Sequence, residues 1–293
     1  MNNTVIALGF FDGVHIGHKK ILKTAADYAT QNGLTAAACT FSVHPHSFVS
    51  GKTPQMLSTL EQRQALMCEC GISQVITIEF DEKTANMQPG DFIKMLKEKY
   101  ACRAIVCGDD FRFGKGASGK PSDFEEYGIT ALVCEKVKIG ENTVSSTYIR
   151  ALLKEGKVED AAVCLGRAYR VSGTVAHGKG LGHKIGYPTF NLNITDEQML
   201  PGRGVYAVNA LVCEESYRAV TNVGVRPTVS ENGEITVETH IPGFSGELYG
   251  KTVSVEFIKK LREERRFLSI NELKNQIKSD IFSAISGEKE GKI

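Results

Sequence analysis

The first half of the chain is a series of short apolar runs separated by stretches with helical spacing. The apolar runs have the length of buried strands and cover residues 5–10, 34–41, 74–80, 103–108 and 129–134. The helical stretches cover residues 17–32, 59–70, 91–100 and 122–127, and Ser58 is expected to cap the second of them. This alternation predicts a doubly wound α/β domain, a parallel sheet covered by helices on both faces. Ligands of such sheets bind beyond the carboxyl ends of the strands.

After Gly166 the pattern changes to β-rich runs separated by turn residues. These runs cover residues 169–176, 205–212, 218–223, 236–241 and 253–258, a spacing typical of an antiparallel barrel or sandwich. A last helix, capped by Ser269, is expected through residue 285. We predict an α/β domain over residues 1–150, a helical linker over 151–166, a small antiparallel β-barrel domain with a C-terminal helix over 167–286, and a frayed tail over 287–293.

Charge and composition exclude several classes of protein. The 293 residues include 35 Lys and Arg against 34 Asp and Glu, so the chain lacks the basic excess of a phosphate-backbone binder and no nucleic-acid partner is expected. No apolar stretch approaches the roughly 18 residues that cross a bilayer. The N-terminus has neither the basic start nor the apolar core of a signal peptide. We therefore expect a cytoplasmic enzyme that acts on small molecules without a membrane partner. Neither pattern nor composition indicates an oligomeric state.

The eight cysteines do not form a metal-binding pattern. The chain has no Cys-x-x-Cys pair, and several cysteines lie inside apolar runs. We expect reduced cysteines that serve as small core residues, and no structural metal.

A first candidate site follows the first apolar run. His15 and His18 stand three residues apart, with Gly17 between them, where a strand ends and a helix begins. The free N–H groups and dipole of a helix N-terminus attract phosphate, and Gly17 leaves room for a nucleotide close to the backbone. The imidazoles can donate hydrogen bonds to charge that builds up on a phosphate in a transition state.

Four motifs in order resemble those of one enzyme family. The segments Phe-Asp-Gly-Val-His-Ile-Gly-His at 11–18, Thr-Phe followed by His-Pro at 40–45, Gly-Asp-Asp-Phe-Arg-Phe-Gly at 108–114 and Ser-Ser-Thr-Tyr-Ile-Arg at 145–150 resemble the bacterial bifunctional riboflavin kinase/FAD synthetases. The resemblance covers nearly the whole chain. It implies a nucleotidyltransferase-like α/β domain with FMN adenylyltransferase activity, followed by a riboflavin kinase barrel, with ATP and Mg²⁺ used by both.

The resemblance also implies site residues in the first domain. His15, His18 and Arg150 would be catalytic, and the loop that carries His44 would contribute to the pocket for the FMN phosphate. Ser146, Thr147 and Arg150 open a helix, where hydroxyls, N–H groups and a guanidinium can converge on one anion. The residues implied to bind ATP and its phosphates are Gly9, Phe11, Asp12, Gly17, Asp109, Ser146 and Thr147.

The chemistry of adenylyl transfer agrees with this set of residues. The phosphate of FMN attacks the α-phosphorus of ATP, and pyrophosphate leaves. The attacking phosphate is already ionised at neutral pH, so no general base is needed and catalysis consists of positioning and charge stabilisation. Histidine, arginine and backbone donors supply both.

A second candidate site lies in the barrel segment. The glycine-rich segment 173–182 suits a loop over a nucleotide, with Gly178, Lys179 and Gly182 as its candidate residues. If the following segment is extended, Thr189 and Asn191 point to one face and Phe190 to the other, so a hydroxyl and an amide oxygen can together hold Mg²⁺. This segment resembles the family's kinase signature, Pro-Thr-Ala-Asn.

Glu238 is our candidate for the kinase base. The 5′-hydroxyl of riboflavin must lose a proton as it attacks the γ-phosphate, and a positioned carboxylate can accept that proton. The segments 222–224, 227–228, 237–240 and 248–250 also resemble the kinase module.

Three other readings compete with a two-step flavin enzyme. Phe190 replaces the family's alanine and His183 its arginine, which favours an FMN adenylyltransferase whose barrel only binds flavin. A non-catalytic flavin-binding regulator would not need His15, His18, Thr189, Asn191 and Glu238. A class I aminoacyl-tRNA synthetase also carries His-Ile-Gly-His, but this chain lacks a basic RNA-binding face and a Lys-Met-Ser-Lys-Ser-like loop.

Overall fold

A computed structural model divides the chain into two compact units, Met1–Tyr148 and Ile149–Ile293. The predicted boundary, after residue 150, lies two residues beyond the observed boundary after Tyr148. The structure describes residues 3–45, 47, 54–176, 182, 185–195, 197–213, 215–225 and 235–286. The predicted frayed tail, 287–293, lies outside the described residues.

The first unit contains a parallel sheet of five strands in the order β3-β2-β1-β4-β5. The strands are β1 Thr4–Leu8, β2 Thr35–Phe41, β3 Gln74–Ile78, β4 Cys102–Gly108 and β5 Thr130–Cys134. The helices are α1 Ile16–Asn32, α2 Leu60–Glu69, α3 Glu82–Ala85, α4 Pro89–Lys99 and α5 Ser146–Lys154, which begins just before the division between the units. A short hairpin follows the sheet, made of β6 Lys138–Ile139 and β7 Asn142–Thr143. The predicted α/β class is confirmed.

Both faces of this sheet are buried, which explains the continuous apolar runs. Val5 and Ala7 of β1 join one core together with Leu22 of α1. Ile6 of β1 joins the other core together with Ile93 of α4. Neighbouring residues of one strand therefore face opposite cores, as a sheet covered on both sides requires.

The start of α2 lies one residue later than predicted. Thr59, not Ser58, is the N-cap: its hydroxyl accepts from the N–H of Gln62, whose side chain accepts from the N–H of Thr59. The Ser58 hydroxyl instead accepts from the N–H of Gly13. A residue expected to serve its own helix is thus used by a loop 45 residues earlier in the chain.

The second unit is a closed antiparallel barrel of six strands in the order β10-β11-β12-β9-β8-β13. Its strands are β8 Tyr169–Ala176, β9 Phe190–Asn193, β10 Gly204–Val212, β11 Glu215–Val225, β12 Ile235–His240 and β13 Thr252–Arg262, and its helices are α6 Val158–Leu165 and α7 Ile270–Ser286. The barrel with its C-terminal helix is confirmed. The predicted linker, residues 151–166, is largely helical, and α6 packs on β13 and β8.

The C-terminal helix is tied to the barrel by a buried ion pair. Asp280 of α7 is 4% exposed and accepts from Nε and Nη2 of Arg262 at 2.9–3.1 Å. Gln276 donates a further hydrogen bond to the same carboxylate at 2.8 Å. A paired carboxylate of this kind fixes the position of α7 on β13.

Five of the eight cysteines are buried, and all eight are free thiols. Burial raises the pKa of Cys39 and of Cys102 to about 12, so both remain uncharged core residues. Among the residues that the structure describes, no helix is long and apolar enough to span a lipid bilayer.

Candidate functional site

The loop between β1 and α1 has an unusual backbone. Phe11 and Val14 adopt left-handed conformations, with φ of 59° and 38°, which residues other than glycine rarely adopt. Gly13 lies between them with φ of 73°. The ring of Phe11 is buried against Gly9, where a Cβ would approach the ring to 3.0 Å. Backbone strain of this kind is typical of functional loops that their surroundings hold in place.

Asp12 is turned into the protein. Its carboxylate is 2% exposed and accepts from the N–H groups of Leu57, at 3.0 and 3.1 Å, and of Ser58, at 3.2 Å. Its carbonyl oxygen accepts from the hydroxyl of Ser146 at 3.0 Å. Asp12 therefore holds the loop and the start of α5 together, and its contact with ATP stays a prediction.

The two histidines pack against each other at the start of α1. Their rings are stacked, with centroids 3.6 Å apart. Nδ1 of His15 accepts from the N–H of His18 at 3.3 Å and so caps the helix. A Cβ at Gly17 would lie 3.1 Å from the ring of His15, so a larger residue would crowd this ring. The predicted pair is brought together at a helix N-terminus.

His18 is held uncharged by its surroundings. Burial, and then electrostatic interactions with His15 and Arg63, lower the pKa of His18 well below its usual 6.5. Its Nδ1 is buried without a hydrogen-bond partner among the described residues. The tautomer protonated on Nε2 avoids a buried, unpaired N–H, so we infer that His18 offers Nε2–H to a ligand. His15 does the same, because its Nδ1 already accepts a hydrogen bond.

Arg63 is a member of this site that the sequence did not suggest. It is 2% exposed, its Nη2 donates to the carbonyl oxygen of Phe41 at 2.8 Å, and its guanidinium lies 4.1 Å from the ring centroid of Phe10. His44, the predicted FMN-loop residue, meets the same ring edge-on at 4.5 Å. The spacing of residues within α2 gave no signal for Arg63, because one partner, Phe10, follows β1 and the other, Phe41, ends β2.

The remaining predicted residues of the first site are more exposed. Ser145 caps α5 by accepting from the N–H of Tyr148 at 3.2 Å, which places Ser146 and the exposed Thr147 in its first turn. Arg150 follows one turn later on the same helix, beyond the division between the units. Asp109 is exposed and directly follows β4, the neighbour of β1, at the same edge of the sheet.

The second site is centred on two neighbouring strands of the barrel. Glu238 of β12 is the direct cross-strand partner of Asn191 of β9, so both side chains lie on one face. His240 lies two residues beyond Glu238, and its Nδ1 donates to the carbonyl oxygen of Pro188 at 2.7 Å. That bond holds the segment leading to Thr189 beside the strand that carries Glu238.

Asn191 has the properties of a cation ligand. Its side chain is 6% exposed, and its Oδ1 has no hydrogen-bond partner among the described residues. A buried acceptor without a partner is costly unless a ligand binds it. Thr189 and Asn191 offer the hard oxygen atoms that Mg²⁺ prefers, so the residues present fit that ion.

Two cavities meet at Thr189. The first, of about 240 Å³, is bordered by Thr189 and Glu238. The second, of about 350 Å³, also includes Thr189 and has an apolar wall that contains Phe190, Ile241, Leu248 and Tyr249. Phe190 pairs with the fully buried Thr239 and is itself 7% exposed. Its ring therefore points away from the face of Asn191 and Glu238, as the alternation predicts.

Other residues of the first cavity were not predicted as site residues, although Asn222 belongs to the segment 222–224 that resembles the kinase module. Asn222 donates to Glu264 at 3.2 Å, and the guanidinium of Arg265 lies 4.9 Å from the ring centroid of Phe267. Leu273 and Ile277 of α7 complete the wall. The apolar spacing of α7 was visible in the sequence. Which surface of the barrel α7 covers depends on the ion pair between Asp280 and Arg262.

The predicted nucleotide loop is described only at Gly182, which borders the first cavity. A Cβ there would collide with the carbonyl oxygen of Tyr187, so this position requires glycine. Gly178, Lys179 and His183 lie outside the described residues.

Comparisons with known proteins agree over both units. Residues 1–148 match the FAD synthetase family, and residues 165–286 match the riboflavin kinase family. A protein of Bacillus subtilis (strain 168), named bifunctional riboflavin kinase/FMN adenylyltransferase, is 37% identical over 290 residues, which cover 96% of this chain and 92% of the relative. A protein of the same name from Escherichia coli (strain K12) is 34% identical, with 96% and 91% covered.

A solved structure is similar over nearly the whole chain. It is described as a macrolide-efflux protein from Streptococcus pneumoniae and superposes with a TM-score of 0.88. The two sequences are 28% identical, and the match covers 95% of this chain and 92% of the other. Both units of the fold therefore occur together in a solved structure.

Proposed function

The chain belongs to the family of bifunctional riboflavin kinase/FMN adenylyltransferases, and from that premise we propose which residues carry each reaction. The enzyme phosphorylates riboflavin with ATP to give FMN, and it transfers an adenylyl group from ATP to FMN to give FAD and pyrophosphate. The match to the riboflavin kinase family over residues 165–286 favours two activities over an adenylyltransferase with a silent barrel.

Adenylyl transfer is assigned to the first unit. An oxygen of the FMN phosphate attacks the α-phosphorus of ATP, and the bond to pyrophosphate breaks. The Nε2–H groups of His15 and His18 and the free N–H groups at the start of α1 stabilise the negative charge that builds up on the phosphates. Ser146 and Thr147 add the start of α5, and Arg150 is retained from the sequence motif as a further phosphate ligand. His44 is assigned to the FMN phosphate.

Riboflavin phosphorylation is assigned to the barrel. The oxygen of the riboflavin 5′-hydroxyl attacks the γ-phosphorus of ATP, Glu238 accepts the hydroxyl proton, and ADP leaves. Thr189 and Asn191 would hold Mg²⁺, which neutralises charge on the phosphate oxygens when it is bound. The observation that carries this assignment is the direct pairing of Glu238 with Asn191, whose buried Oδ1 lacks a partner.

The two cavities suggest a place for each kinase substrate. Glu238 borders only the first cavity, so the substrate that loses a proton, riboflavin, is assigned there. The aromatic and aliphatic wall of the second cavity suits the base of ATP. Thr189 borders both cavities, so we assign phosphoryl transfer to that shared wall.

The partners and location follow from chemistry and charge. Riboflavin, FMN, FAD and ATP are small molecules, and 35 basic against 34 acidic residues give no reason for nucleic-acid binding. We propose that the enzyme works in the cytoplasm without a membrane partner.

Separation of the reaction products tests the whole assignment. The purified chain is incubated with ATP and Mg²⁺, once with riboflavin and once with FMN. We expect FAD from both, with FMN as an intermediate in the first reaction. If FAD forms only in the incubation with FMN, the result would support an adenylyltransferase with a silent barrel. If neither riboflavin nor FMN gives a product, the proposed function is contradicted.

A further inference from the structure

The loop that carries His15 and His18 does not support itself. Phe11 and Val14 have backbone conformations that residues other than glycine rarely adopt. Such a loop keeps its shape only when neighbouring groups hold it. One short segment, residues 57–63, supplies several of these groups, and we call it the brace.

Ser58 and its neighbour bind the loop from one side. The hydroxyl of Ser58 accepts from the N–H of Gly13 at 3.0 Å, in the middle of the strained stretch. The N–H groups of Leu57 and Ser58 donate to the carboxylate of Asp12. These bonds are buried, so water cannot replace them without cost.

Arg63 binds the ends of the neighbouring strands. Its Nη2 donates to the carbonyl oxygen of Phe41, the last residue of β2, and its guanidinium packs on Phe10, two residues beyond the end of β1. No carboxylate among the described residues forms an ion pair with it, and its Nε has no hydrogen-bond partner among them. The carboxylates of Asp12 and Glu61 stabilise its charge only from a distance. A buried cation without a carboxylate in direct contact is expensive to maintain, which points to a role beyond stability.

We propose that the brace positions the adenylyl-transfer site, with Ser58 and Arg63 as positioning residues that act through Gly13, Asp12 and Phe10. This inference rests on the proposed catalytic role of His15 and His18. The brace sets where the loop before α1 holds the two imidazoles, so loss of a brace contact displaces the Nε2–H donors from the reacting phosphate. The charge of Arg63 also helps to keep His18 neutral.

The first test is Ser58→Ala, with Ser118→Ala as the matched control. The hydroxyl of Ser118 also makes a hydrogen bond within the first unit, to the carbonyl oxygen of Lys115 at 2.8 Å, but on the surface. We expect Ser58→Ala to lower kcat for FAD formation from FMN about 10-fold to 100-fold, because small displacements of catalytic groups have effects of that size. The KM values should change little, and Ser118→Ala should match the wild type.

The kinase activity of the same chain reports whether the barrel is intact, and hydrogen exchange of the β1 amides reports whether the first unit is folded in each variant. A Ser58→Ala chain with wild-type kinase activity and wild-type kcat for FAD formation would overturn the inference. A loss of thermal stability with unchanged kcat would also overturn it, since that result describes a structural contact only. Ser58→Thr retains the hydroxyl oxygen and should recover most of the lost kcat.

Arg63 gives an independent test. Arg63→Met keeps a long apolar side chain but removes the charge and the bond to Phe41, and Arg103→Met removes an exposed arginine bonded to Asn3 as the control. We expect a lower kcat for Arg63→Met and a partial recovery in Arg63→Lys. If Arg63→Met fails to fold, the Ser58 series decides alone.

His18→Ala separates this inference from the site assignment. If His18→Ala keeps normal FAD formation, the assignment of the histidines fails. If it loses FAD formation while Ser58→Ala does not, the assignment stands and the brace is wrong.

Discussion

The two candidate sites differ in the kind of group that each offers to its substrate. In the first unit, the groups that we propose for ligand binding are the Nε2–H groups of neutral imidazoles and backbone N–H groups, and the carboxylate of Asp12 is already bound by backbone N–H groups. In the barrel, the Glu238 carboxylate borders an open cavity, and the oxygen of its neighbour Asn191 has no partner. One site offers hydrogen-bond donors, and the other offers acceptors.

The difference follows from the two nucleophiles. The phosphate of FMN is ionised before it attacks, so the first site only has to position it and stabilise charge. The hydroxyl of riboflavin must lose a proton, so the second site needs a carboxylate. The enzyme performs two phosphorus-transfer reactions with the same cosubstrate, and the protonation state of the nucleophile determines which side chains each site contains.

The largest effect is expected for Glu238→Gln. The amide keeps the shape of the side chain but cannot accept the proton, so FMN formation should fall roughly 10²–10⁴-fold. FAD formation from FMN by the same variant should be unchanged. The control is Glu215→Gln, at the far end of the β10–β11 hairpin, and both reactions should keep their wild-type rates in it. Initial rates from separated flavins measure both reactions. An unchanged kinase rate in Glu238→Gln would mean that the barrel site does not use Glu238 as a base, and the proposed difference between the two sites would be wrong.

His18→Ala should have the opposite selectivity. Loss of one preorganised donor to a developing negative charge typically costs about 10²–10³-fold in kcat, so FAD formation should fall at least that far. FMN formation by the same chain should remain normal, and hydrogen exchange of the β1 amides serves as the folding control for the first unit. Near-normal FAD formation would show that the first site does not act through its histidines.

Asn191→Ala tests whether the oxygen acceptors of the barrel site bind a metal ion. We expect the Mg²⁺ concentration for half-maximal FMN formation to rise at least about 10-fold, because changes even to groups behind metal ligands have effects of that size. Asn193→Ala, an exposed position two residues further along β9, is the control. A Mg²⁺ titration that does not shift would place the ion elsewhere.

The smallest effect is a dependence of stability on pH. The folded pKa of His18 lies below the usual 6.5, so between that value and 6.5 the unfolded chain binds more protons than the folded one. Stability from this group is therefore complete above pH 6.5 and falls as the pH drops, by up to about 1.4 kcal/mol per unit. Hydrogen exchange of the β1 amides in wild type and in His18→Gln, compared at each pH, measures it. If stability depends on pH in the same way in the wild type and in His18→Gln, His18 is not held neutral in the folded protein.

The sequence predicted most of the fold because a buried strand shows itself as a local run of apolar residues. The three inner strands of the sheet, β2, β1 and β4, are largely buried on both faces and appear as apolar runs. β9 was not among the predicted barrel runs, because its four residues, Phe190–Asn193, are too few for a clear alternation. Its place between β12 and β8 depends on hydrogen bonds to distant strands.

The candidate sites were predicted only in part, for a similar reason. The motifs pointed to His15, His18, Asn191 and Glu238 as candidates, and their proposed roles rest on local spacing and resemblance. Arg63 was missed, because its partners follow β1 and end β2 and lie more than 20 residues away. Contacts that position a site come from long-range packing, which one sequence does not reveal.

The position of Thr189 between the two cavities has a kinetic consequence. Because the cavities proposed for the donor and the acceptor of the phosphoryl group share this bordering residue, we expect the group to pass directly from one substrate to the other. Both substrates would then be bound before either product leaves. We therefore expect the kinase to follow a sequential mechanism through a ternary complex, with no phosphorylated form of the enzyme.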